Sequence, residues 1–272
     1  MSDKDASYGL LSQTSSIEET RNARFQRHLP ASIGFQWLKA GWQDLFHRPM
    51  PSLAYGLGIF LLSLAAVAIL ALYGRDYILF PALAGFMIIA PLLAIGLYEK
   101  SRSREAGRDT SLRAMLLVKP AAGPQVFFTG VLLSLLMLLW MRSAVLIYAL
   151  FFGVRPFPGL PHITVFLLTE PVGWIILGVG TVVGGLFASF AFAISVFSIP
   201  MLLDRKVDAL TAMGTSMALV WNNLAPMIVW GAIVLALFTL CAATCLIGLI
   251  IIFPWLGHAT WHAYRAVSDT QA

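Results

Sequence analysis

"PMIVWGAIVLALFTLCAATCLIGLIIIFPWLGHATWHAYR", residues 226–265, carries no charged side chain before its final arginine. As a single helix, Pro226 to Tyr264 would be about 58 Å long at 1.5 Å per residue, nearly twice the ~30 Å hydrocarbon core of a bilayer. One strongly tilted helix would leave the two ends of the stretch on opposite sides of a membrane. Two short helices turning near Ala242–Thr244 would return the chain to the side it came from. The turn has no Gly, Pro or Asn to mark it, so the rest of the chain must decide.

The chain has 272 residues, 59% of them hydrophobic and 11% charged, with a mean hydropathy of +0.82. Between Asp208 and Arg265 there is no charge at all. Such a stretch has no solvated face, so the bilayer is its solvent. Inside lipid every backbone N–H and C=O must be satisfied within the protein. Long unbroken apolar runs therefore point to an all-α, polytopic membrane helical bundle. The net charge of +5 is unevenly placed: Lys4, Arg21, Arg24, Arg27, Lys39 and Arg48 precede the first apolar run, and six more basic residues lie between Lys100 and Lys119. A basic excess beside membrane segments marks the cytoplasmic side and gives no case for nucleic acid. Residues 1–30 are polar and lack an apolar core, and are expected to be a disordered cytoplasmic tail and not a cleaved leader. Cys241 and Cys245 lie within an apolar run and imply no disulfide framework.

Three short motifs recur along the chain: "PSLAYG" at 51–56, "PQVFFTG" at 124–130 and "PMIVWG" at 226–231. Each follows an amphipathic segment and opens an apolar run. Three further proline-led motifs close the returning runs: "PLLAIGLYEKSR" from Pro91, "PMLLDRK" from Pro200 and "PWLGHATWHAYR" from Pro254. This reads as three copies of one unit, an interfacial helix followed by two spans. The repeat favours the hairpin, hence six spans, with five as the alternative. The membrane domain is expected over residues 31–267, followed by a tail at 268–272. Its spans fall at about 52–72, 77–98, 125–150, 172–203, 226–243 and 245–262, and its interfacial helices at about 32–47, 108–118 and 206–222. The basic run from Glu99 reads as a loop that ends in the second of those helices, and 153–162, with three prolines, as an irregular outer loop. Both termini are then cytoplasmic.

The stretches "FSIPMLLDRKVDALTAMGTSMALVWNNLAPMIVWGAIV", "FPWLGHATWHAYR" and "GWQDLFHRPMPSLAYG" resemble the DUF2189 family, bacterial predicted integral membrane proteins of unknown function. The resemblance covers roughly residues 35 to 267. It implies a multi-pass protein of a bacterial inner membrane, and it brings no family active site.

Candidate chemistry is sparse. His258 and His262, four residues apart on one helical face, are the only candidate metal ligands; neutral imidazole suits zinc, copper or iron. A structural site needs about four protein ligands, however, and haem needs axial ligands from opposite sides. The same segment reads better as an interfacial belt. Trp255, Trp261, Tyr264 and Arg265 are its anchors at one end of the chain, and Trp37 and Trp42 at the other. Arg142 lies far along the third span, near the outer surface, with Glu170 as its expected ion-pair partner. Gly180, Gly184, Gly185 and Ser189 give the fourth span a small-residue face for helix packing. Asp204 is expected to cap the interfacial helix behind it. No nucleophile stands beside a base, and no carboxylate pair or phosphate loop is present, so neither catalytic residues nor a cofactor are expected.

The expected function is that of a non-enzymatic structural or accessory protein of the inner membrane. Its partners would be the bilayer itself, anionic headgroups on the cytoplasmic side, and a membrane-protein partner or a second copy in a homodimer. An uncoupled carrier for a lipid or small solute is one alternative. A metal- or haem-binding respiratory accessory protein is the other.

Overall fold

A computed structural model describes residues 25–153 and 159–268. No strand occurs among them. The helices are α1 (Ile33–Phe46), α2 (Pro49–Leu72), α3 (Leu79–Leu93), α4 (Ile95–Glu105), α5 (Leu112–Leu116), α6 (Gly123–Phe152), α7 (Leu160–Thr169), α8 (Pro171–Ser195), α9 (Ser198–Asp204), α10 (Ala209–Asn222), α11 (Leu224–Ala243) and α12 (Leu249–Ser268). Five segments are long and apolar enough to cross a membrane: 49–72, 79–105, 123–152, 171–204 and 224–243. The protein is a polytopic all-α bundle.

The order follows the repeat. A short helix (α1, α5 or α10) precedes a long apolar one (α2, α6 or α11), and a returning segment carries a proline towards the polar end. In the first unit Pro91 lies inside α3. Lacking an N–H, it breaks the ladder, and the helix restarts one residue past Leu93 as α4. In the second, the return splits into α8 and α9 around Val196–Phe197, with Pro200 in α9. In the third, Pro254 is inside α12.

The 226–265 stretch does turn. α11 ends at Ala243 and α12 begins at Leu249, a little later than expected. The turn is made without glycine in the left-handed positions, where Cys245 (φ 51°) and Leu246 (φ 68°) sit. That conformation costs about 1–2 kcal/mol per residue. Thr244 offsets part of it, because its Oγ1 accepts from Gly248 N at 3.1 Å while its hydroxyl donates to the Leu240 carbonyl at 2.9 Å. By length and apolarity the described helices thus give the alternative count of five, and α12 is the sixth arm. It is too polar to join the five because its polar side chains face protein and not lipid.

α12 is the axis of one half of the bundle. It packs on α1, α2 and α4, and Trp261, Tyr264, Ala259 and Val267 on it are fully buried. Close approach depends on isolated glycines. A Cβ on Gly41 would strike the backbone of Ala259, and one on Gly56 would strike Ile250. The other half is built by α3, α6 and α8, where Trp140 lies against Gly184 and donates to the Pro81 carbonyl at 2.9 Å.

Several expectations change. The basic run from Glu99 is mostly not loop: α4 continues the span to Glu105 and buries Lys100, Ser101 and Ser103. Residues 160–169 form a helix that begins in the last three residues of the expected outer loop, and 154–158 lie outside the described residues. The expected tails fall largely outside as well, at 1–24 and 269–272. Residues 25–30, also assigned to the tail, are instead laid on the bundle: Phe25 and Leu29 pack on the core, and Arg27 donates to the Val267 carbonyl at 2.7 Å.

Candidate functional site

One end of the bundle gathers a connected cluster of buried polar groups. α1 brings Asp44, the start of α2 brings Ser52, α4 brings Lys100, Ser101, Arg104 and Glu105, and α12 brings His258 and His262. Asp44, Ser52, Lys100, Ser101 and His258 are all at most 4% exposed. Each helix delivers its polar residues for a local reason. On α4, Lys100, Ser101, Arg104 and Glu105 stand at spacings of three to five, so they share one broad face. His258 and His262 share a face in the same way on α12.

The hydrogen bonds have a single direction. Lys100 Nζ donates to Ser52 Oγ at 2.6 Å and to the Arg48 carbonyl at 3.0 Å. Ser52 Oγ lies 2.9 Å from His258 Nε2, and Ser101 Oγ lies 2.8 Å from His258 Nδ1. Ser101 spends its one hydroxyl proton on Asp44 Oδ2, at 2.5 Å. It must therefore accept from His258 Nδ1–H, which leaves Nε2 as the acceptor of the Ser52 proton. The result is a directed chain from ammonium to carboxylate: Lys100, Ser52, neutral His258, Ser101, Asp44. Such a chain can pass a proton by rearranging bonds, without moving a heavy atom.

Asp44 is the hub. Its Oδ2 also accepts from His262 Nε2 at 2.9 Å, and its Oδ1 pairs with Arg104. Burial alone would raise this carboxyl, but the hydrogen bonds from His262 and Ser101 and the neighbouring imidazoles outweigh it and hold it below the ordinary aspartate value. Outward from the hub, Glu105 joins Arg265 at 3.3 Å and lies 4.0 Å from His262 Nδ1.

The histidines singled out by sequence thus meet, but through Asp44 and Ser101 and not through a shared ion. Both nitrogens of His258 are engaged by serines, which leaves it no free lone pair. The described residues contain no group of three or more His, Cys, Asp or Glu placed to hold a metal. Asp44, Lys100, Ser52 and Ser101 were not singled out by the sequence reading; the signal present was one acid on an otherwise apolar-faced helix.

The belt of anchors is largely interior. Trp261 and Tyr264 are 0% exposed and Trp37 is 3%, because α12 is enclosed by three helices. Trp37 meets Trp230 edge-on at 5.6 Å. Trp42 stays partly exposed and meets Trp255 edge-on, and the Trp255 indole donates to the Leu38 carbonyl at 2.8 Å. Arg265 pairs with Glu105 and so is held by protein.

Asp204 does not cap. It closes α9, accepting from the Tyr264 hydroxyl at 3.0 Å, and the N-cap of α10 is Asp208, whose carboxylate accepts from Thr211 N at 2.8 Å. Arg142 and Glu170 are both exposed, and no ion pair joins them among the described residues. Trp140 faces inward, so Arg142, two residues on, points about 200° away from it. Of the small-residue face only Gly184 touches a neighbour: a Cβ on Gly180 or Gly185 would meet open space, and Ser189 is exposed.

This arrangement, an all-helical multi-pass bundle with a self-satisfied polar cluster at one end, defines a class of integral membrane protein. Residues 79–204 match the family model described as predicted integral membrane protein (DUF2189). No curated protein and no solved structure matches the chain.

Proposed function

We propose that this chain is a non-enzymatic accessory protein of a bacterial inner membrane, with its polar end in the cytoplasmic headgroup layer, where it engages anionic lipid. The supporting observation is the surface of the three short helices at that end. They turn large apolar side chains outward, with Phe35 61%, Leu116 64% and Trp221 72% exposed. Exposed Lys39, Arg113, Lys119 and Lys206 stand beside them. An apolar side chain at the acyl boundary and a cation at the phosphate plane are the two halves of an interfacial anchor. Each cation contributes about 1 kcal/mol at an anionic surface. The buried cluster beneath holds α1 to the spans.

The test uses protein in nanodiscs of mixed phosphatidylglycerol and phosphatidylcholine, released for native mass spectrometry. Retained phosphatidylglycerol should exceed its share of the mixture. In K39Q/R113Q/K119Q/K206Q the excess should vanish with the melting temperature unchanged. Equal retention of both lipids by the native chain would overturn the proposal. Protein-dependent exchange of a fluorescent lipid between leaflets would replace it with the carrier.

A further inference from the structure

A cavity of about 120 Å3 opens among α3, α8, α11 and α12. Its walls are mainly apolar and include the rings of Phe86, Phe192, Trp230, Phe238 and Phe253. Phe86 and Phe238 are stacked at 5.6 Å and 10°. On the lipid side, between α8 and α11, the exposed Ala188 marks the mouth. An apolar void of this size, near the ~150 Å3 that admits benzene, stays dry unless polar groups line it.

Here they do. Three lining side chains carry hydrogen-bond donors without a partner among the described residues. Trp230 is 0% exposed and its Nε1 is unsatisfied. Tyr98 and Ser195 are 2% and 1% exposed, and neither hydroxyl makes a hydrogen bond there. Most buried donors in proteins are paired, and stranding one costs about 1–3 kcal/mol. Each hydroxyl has a proton to give, so a guest that carries an acceptor completes the pair formed by Tyr98 and Ser195. Dispersed donors on aromatic walls, reached from lipid, fit one kind of guest.

We infer that this cavity binds a neutral, lipid-dissolved molecule whose flat ring bears a carbonyl, the ring seated among the phenyl groups and the carbonyl accepting from the Tyr98 and Ser195 hydroxyls. Any apolar tail leaves between α8 and α11. The inference goes beyond headgroup binding at the polar end and does not depend on it.

The probe is 2,3-dimethyl-1,4-naphthoquinone, a ring with two carbonyls and no position for thiol addition. It is titrated into purified protein in mild detergent while indole fluorescence is followed. 2,3-Dimethylnaphthalene, which has the ring without the acceptors, is measured by its effect on melting temperature and as a competitor. Saturable quenching is expected, with weaker competition by the hydrocarbon. Tyr98→Phe/Ser195→Ala should bind about tenfold more weakly, the loss of roughly one good hydrogen bond, at a nearly unchanged melting temperature. Ala191→Met, which fills the void, should abolish saturation; should that variant not fold, the Tyr98→Phe/Ser195→Ala comparison decides alone. Quenching that rises linearly with probe, or saturable binding that the double variant leaves intact, would overturn the inference. So would finding the hydrocarbon as good a ligand as the quinone.

Discussion

Replacing Asp44 by alanine should loosen the polar end more than any other single change there. The carboxylate takes bonds from Ser101, His262 and Arg104. Arg104, with its side chain 36% exposed, recovers most of its loss from water and contributes about 0–1 kcal/mol. Ser101 cannot, since it is sealed: leaving its hydroxyl without an acceptor costs about 1–3 kcal/mol. His262 loses its hydrogen-bond acceptor in a setting only partly open, for a similar amount. The sum is about 2–7 kcal/mol, or a fall in melting temperature on the order of 10 °C. The assay follows thermal unfolding in mild detergent through the reactivity of Cys241, a buried thiol, in a Cys245→Ser background. Asp44→Asn, which keeps an acceptor but not the charge, should fall by about half as much. Because the native carboxyl titrates below its unfolded value, its contribution is fully present above about pH 4 and is lost as pH falls through the lower folded value. The gap between native protein and Asp44→Asn should therefore close on acidification. A melting temperature for Asp44→Ala within 2 °C of native, or a gap that widens in acid, would refute the account of Asp44 as hub.

Gly41→Val drives a side chain into the backbone of Ala259 and should destabilise by more than about 3 kcal/mol, whereas Gly180→Ala and Gly185→Ala should leave the melting temperature within error, as measured by the same thermal assay. Asp208→Ala removes the α10 cap and should lower stability by about 1 kcal/mol; Asp204→Ala should raise Tyr264 accessibility without fraying α10, read by hydrogen exchange at Thr211. A membrane-impermeant maleimide should label Cys245, exposed in the α11–α12 turn, from the side opposite the polar end, and should spare Cys241 until the protein unfolds.

The architecture was legible because it rests on composition and on motifs that carry their own structural reason. Prolines stand at matching places in the returning segments, and the repeat called for a turn where no turn residue announces one. The polar cluster was not legible in the same way. Asp44 sits in a helix whose local pattern is that of a surface helix, and Lys100 to Glu105 reads as a basic loop. What buries them is α12, more than 140 residues further on, and periodicity reports only a helix's own faces. The same limit applies to the glycines. Gly180 and Gly184 form a recognisable small-residue pair, yet close approach to neighbouring backbone occurs at Gly41 and Gly56, which form no such pair, because the partner backbone decides where a missing side chain matters. His258 and His262 were found as a pair, but their partners lie on other helices.

The cluster also fixes when the molecule can be finished. Ser52 and Asp44 leave the ribosome early, yet their partners His258 and His262 are separated from them by 206 and 218 residues. Until α12 has been made and has turned back, α1, α2 and α4 hold an acid, a lysine and two serines with an empty slot between them, and Gly41 and Gly56 face a groove with no backbone to receive. A chain cut short anywhere before residue 249 presents that open slot at the membrane surface. The last segment synthesised is thus the keystone, and an incomplete copy is chemically distinguishable from a complete one by the charges it still exposes.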